Sequence, residues 1–66
     1  MLNMSEKSEQ FLKENIPEVL DMTDTNDALD AISTWMQLYG FDGNDDINEQ
    51  GREAEHVYDD IYVHND

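Results

Sequence analysis

Along Glu53-Ala54-Glu55-His56 a carboxylate and an imidazole stand three residues apart, and Asp60 and His64 continue the series at intervals of four. On a helix these spacings put Glu53, His56, Asp60 and His64 along one polar face, where carboxylate and imidazole can share a metal ion. A firm site of that kind needs matching ligands from neighbouring helices, and this sequence has only the one Glu-x-x-His. Two or three exposed ligands make a weak chelate. The expectation is a solvated face on which His56 is held by Asp59 or Asp60. No resident metal and no other cofactor are expected; weak divalent-cation binding is a minor alternative.

A second arrangement resembles one loop of an EF-hand. Counting Asp42 as position 1, Asn44 is 3, Asp46 is 5 and Glu53 is 12, four of the ligand positions for calcium. The glycine that makes the sharp turn at position 6 is replaced by Ile47, and the usually apolar position 8 is Glu49. Without that glycine the loop cannot wrap an ion, and Asp46 serves better as a helix cap.

Catalysis finds no constellation to rest on. There is no cysteine, no Ser/His/Asp layout and no glycine-rich phosphate loop, and a domain this small offers little concave volume. Carboxylates can act as acid or base only where a pocket tunes them. The chain reads as a non-enzyme with no catalytic residues.

Charge is the strongest compositional signal. Seventeen acidic side chains face three basic ones in 66 residues, a formal net charge of −14. Nucleic-acid phosphates and anionic membranes are repelled by such a surface, while basic protein surfaces are attracted. Acids recur at Glu18, Asp21, Asp24, Asp27 and Asp30, and again at Glu49, Glu53, Glu55, Asp59 and Asp60. Carboxylates four residues apart on a helix are separated by about 6 Å along its axis, close to the phosphate spacing of a nucleic-acid strand. By composition and size the chain is similar to phage-encoded DNA-mimic inhibitors, a similarity of charge rather than of motif. It implies a partner whose basic groove normally holds nucleic acid.

These residues must be positioned by a small core. A chain of this length buries only about 60% of its unfolded surface, and without cysteine it has no disulfide or thiolate metal site to reinforce it. Its apolar residues nevertheless fall in helical registers, which argues against disorder. They include Phe11, Leu12, Ile16, Val19, Leu20, Leu38 and Tyr62.

The spacing predicts a first helix over residues 5–15, capped by Ser5 and stopped by Pro17, with residues 1–4 frayed. A turn at residues 17–20 then drops Val19 and Leu20 onto the core. The second helix spans 26–39 behind a cap at Asp24, Thr25 or Asn26. Its stripe is Ala28, Leu29, Ile32, Trp35, Met36 and Tyr39. Gly40 should end it at positive φ in the left-handed region, with Phe41 packing back on Met36.

Asp46-x-x-Glu49 has the shape of a capping box and opens a third helix over 47–63. Its stripe is Ala54, Val57, Tyr58 and Ile61, and Gly51 suits a close helix crossing. The largest burial is expected at Ile32, Trp35, Met36, Val57, Tyr58 and Ile61. The fold class is all-α, one small three-helix domain. With no apolar run and no basic-then-apolar leader, the expected location is the cytoplasm.

The segment from Thr34 to Phe41 carries no charge. In so thin a core one ring among Trp35, Tyr39 and Phe41 should be half covered and able to anchor a partner. The reading is a protein that binds a basic protein surface without contacting nucleic acid or membrane directly. Its contacts would be the outward acids Glu49, Glu53, Glu55, Asp59 and Asp60, together with Trp35, Tyr39 and Phe41. A self-associating helical domain, forming a weak homodimer, is the competing class.

Overall fold

The computed structural model describes residues 2–43 and 46–65. Three helices form: α1, Glu6–Asn15; α2, Thr25–Tyr39; and α3, Glu49–Asn65. A 3₁₀ turn, Pro17–Asp21, joins α1 to α2. The all-α, three-helix class is as the sequence predicts, with no named strand among the described residues.

Ser5 caps α1 as expected, its hydroxyl oxygen accepting from the Ser8 N–H at 3.2 Å. Ile16, held before Pro17 at φ −138° and ψ 64°, ends the helix. Asp24 caps α2: its carboxylate accepts from the Asn26 N–H at 2.8 Å and from the Asp27 N–H at 3.4 Å. These bonds occupy donors that the first helical turn leaves unpaired.

The start of α3 differs from the capping box read at Asp46. The helix begins two residues later than expected, and Asn48 makes the cap, its side-chain oxygen accepting from the Gly51 N–H at 2.7 Å. The Asn48 amide also donates to the Tyr39 carbonyl at 2.9 Å, and its backbone N–H donates to the Gly40 carbonyl at 2.8 Å. One residue thus opens α3 and closes α2. Asp46 instead pairs with Asp42 in a hairpin, where a lone antiparallel bridge joins Phe41 to Ile47.

Gly40 is not left-handed. It lies at φ −87° and ψ −3°, a conformation open to any residue. Its glycine identity answers to space instead. A Cβ there would stand 2.6 Å from the Met36 carbonyl oxygen and 3.1 Å from the Gly51 Cα. A Cβ on Gly51 would in turn collide with the Gly40 carbonyl oxygen. The close crossing read at Gly51 is present, and Gly40 is its other half. Phe41 bridges to Ile47 and is exposed.

The core runs through all the elements. Leu12, Val19, Ala28, Ile32, Ala54 and Ile61 are fully enclosed, and Val57 is buried beside them. Trp35, Met36 and Tyr58, expected to be largely buried, are half-buried at its edge. Leu38 and Tyr62 fall in helical register yet face outward, because no element covers their side of α2 or α3. Residues 2–4, expected to fray, are placed: Leu2 is buried, and Asn3 exchanges two hydrogen bonds with the Asn65 side chain. Among the described residues no helix is long and apolar enough to cross a membrane.

Candidate protein-binding surface

The acids of α3 do not share one face. Glu53 and Asp60 border a hollow of about 590 Å³ between α1 and α3, floored by Phe11 and Val57 and edged by Lys7 and His56. Glu55 and Asp59 lie on the other flank, beside Ser33, Met36 and Tyr58. Glu49 stands exposed in the first turn. Glu53 and Asp60, seven residues apart, fall nearly in line on one side of α3, and Glu55 and Asp59, four apart, on the other. A partner would meet two acidic margins rather than a single row.

Asp60 is not an outward acid. One carboxylate oxygen accepts from the Ser5 N–H at 2.9 Å, and the other lies 2.9 Å from His64 Nδ1. Hydrogen bonds from the Ser8 hydroxyl and the Ser5 N–H, with smaller help from the Ser5 hydroxyl and His64, hold its carboxyl below the ordinary aspartate range. Partial burial opposes them and loses. Asp60 therefore works as a clamp between α3 and the positive end of α1. His56, expected to be held by Asp59 or Asp60, is exposed and bonded to neither; His64 takes that place.

Every other described acid is exposed. Between described residues the one ion pair is His64 with Asp60, and none joins Arg52 to Glu49 or Glu55. Glu49 with Glu53 and Glu55 with Asp59 repeat at one helical turn, so the charge of α3 is displayed rather than internally neutralised.

Of the three rings, two are brought together. Trp35 meets Phe11 edge to face, with centroids 5.5 Å apart and planes at 85°, and its other neighbour is Tyr39 at 5.6 Å. Phe41 lies in the hairpin, with no ring contact to either among the described residues. Not one ring but two are largely open: Tyr39 is 57% and Phe41 44% exposed. Leu38, beside Tyr39 on α2, is 68% exposed.

Sequence reasoning missed what lies beside that patch. An open groove of about 700 Å³ runs between the 3₁₀ turn and the outer side of α2. Trp35 and Leu38 lie on one wall, Ile16 and Met22 on the other, and Glu18 and Asp30 at the rim. The signal available was the uncharged run ending at Phe41; which residues of the earlier turn would face it depends on the tertiary fold.

Asp42, the first position of the calcium-like loop, accepts from the Asp46 N–H at 3.2 Å, and Asn44 lies outside the described residues. Among the described residues no three His, Asp or Glu gather in a way that could hold a metal ion. No protein-family model, no curated protein and no solved structure matches the chain.

Proposed function

We propose that this protein is a non-enzymatic binding domain that engages a basic protein surface. In its sharper form it occupies a groove that otherwise holds nucleic acid. The observation that carries this reading is the display of charge: every described acid except Asp60 is exposed. Like charges displayed around a 66-residue body repel one another and weaken the fold, while a cationic partner relieves the repulsion on contact. Such charge also speeds encounter and makes association strongly salt-dependent.

The mimic form draws on spacing. Glu49 and Glu53 on one margin of α3, and Glu55 and Asp59 on the other, each repeat at about 6 Å along the axis. The exposed rings Tyr39 and Phe41 offer the apolar contact that charge alone lacks, since aromatic anchors dominate binding energy at protein interfaces.

The test is capture of partners from a host lysate at low and at high salt, followed by elution with double-stranded DNA. The mimic form predicts that DNA releases the captured protein and that this chain blocks the captured protein's own DNA binding. Capture that is indifferent to both DNA and salt would refute the charge mechanism. A concentration-dependent dimer by light scattering, with no captured partner, would favour the self-associating class instead.

A further inference from the structure

The groove beside Trp35 has a shape and a charge that select one kind of occupant. Its α2 wall is built from Ala31, Thr34, Trp35 and Leu38, positions i, i+3, i+4 and i+7, one stripe about two turns or 10 Å long. The opposite wall is the 3₁₀ turn, five residues against the fifteen of α2, so the second half of that stripe has no covering element. Glu18 and Asp30 stand on the rim, and no Lys or Arg lines the groove. We propose that this groove takes a short amphipathic helix of a basic protein, its apolar side on Trp35 and Leu38 and its Lys or Arg residues over Glu18 and Asp30.

Three arguments fix that occupant. The stripe has the spacing by which one helix packs its apolar anchors into another's groove. Trp35 is held in place by its edge contact with Phe11 and by Tyr39, so little side-chain freedom is lost on binding. A second copy of this chain would bring a further −14 against −14, whereas a cationic helix gains from the rim. The inference rests on the reading that the chain binds a basic protein, and it adds an apolar contact to the charge of the α3 margins.

Trp35 is the sole tryptophan, so its fluorescence reports on the groove directly. The probe is a lysine-rich peptide of about 14 residues, near four helical turns, with leucines at i, i+4 and i+7 on one face. Its control carries glutamines in their place at equal charge. The leucine peptide should shift Trp35 emission to the blue and bind about tenfold more tightly than the control or better, the factor that loss of leucine anchors entails.

Leu38→Ser, at a side chain the core does not use, should lower that affinity by about tenfold with the circular-dichroism spectrum intact. Amide substitutions on Glu49, Glu53, Glu55 and Asp59 should leave the blue shift in place. If Leu38→Ser disturbs the spectrum, the rim pair Glu18→Gln and Asp30→Asn supplies the same reading through weakened binding of the leucine peptide. Equal, salt-sensitive binding of both peptides without a Trp35 shift would overturn the groove while leaving charge-driven binding standing. Binding of neither would overturn both. A peptide-free dimer dissolved by Leu38→Ser would assign the groove to a second copy and overturn the proposal.

Discussion

Gly40 and Gly51 meet where α2 hands over to α3, so close that a Cβ on Gly51 would run into the Gly40 carbonyl and one on Gly40 would stand 3.1 Å from the Gly51 Cα. The contact explains why Gly51 stands inside a helix, where propensity argues against glycine. It also brings the end of α2 to the start of α3, where the Asn48 amide reaches the Tyr39 carbonyl.

Gly51→Ala should therefore destabilise the protein although alanine is the better helix former by about 1 kcal/mol. The new methyl meets a carbonyl oxygen that the Asn48 N–H fixes in place. The cost should reach the upper end of the about 1–3 kcal/mol typical of overpacking. Urea unfolding measures it. An alanine variant more stable than the parent would mean that α2 and α3 do not cross here.

Asp60 should give the fold an acid limit. Its folded pKa is lowered, so its stabilisation is complete above the unfolded aspartate value of about 3.9 and is lost as pH falls through the lowered folded value. Asp60→Ala should cost about 1.5–3 kcal/mol at pH 7, the worth of hydrogen bonds to a charged group. The difference from wild type should shrink below about pH 4. A difference constant from neutral to strongly acid pH would show that the carboxylate charge plays no part in the clamp.

Salt should stabilise the protein. The described acids other than Asp60 are exposed, and their mutual repulsion is screened over about 10 Å at 0.1 M ionic strength. Melting temperature should rise with added sodium chloride and also on mild acidification, until the loss of the Asp60 clamp reverses the trend. A melt indifferent to salt would mean that caps and local pairs already offset the repulsion.

How much of this was legible depends on how local each signal is. The apolar stripe of α2 and the caps at Ser5 and Asp24 are short-range patterns, and the helices follow them. The first cap of α3 was not legible, because the Asp- and Asn-rich stretch from Asp42 to Asn48 offers several equal candidates. Asn48 is selected by its reach to the Tyr39 carbonyl. Gly40 reads as a left-handed stop until Gly51, eleven residues on, is known to press against it.

The candidate surface divides the same way. Trp35 and Tyr39 are one turn apart, and their pairing follows from the helix alone. Asp60 looked like one more outward acid because its decisive partner, Ser5, is 55 residues away. The split of the α3 acids into two margins was legible in their spacing, since Glu53 and Glu55 stand about 200° apart around a helix; which neighbour each margin faces depends on the packing of α1 and α2.

The most direct test of charge-driven binding is the association rate of the captured basic partner with wild type and with a Glu49→Gln, Glu53→Gln, Glu55→Gln, Asp59→Asn variant. Asp60 is left intact because it holds the fold. Since surface charge acts mainly on the encounter rate, association at low salt should slow by about tenfold or more, within the range of electrostatic steering. The two rates should converge as salt is raised, with the circular-dichroism spectrum unchanged. Equal rates for the two proteins at low salt would contradict the account.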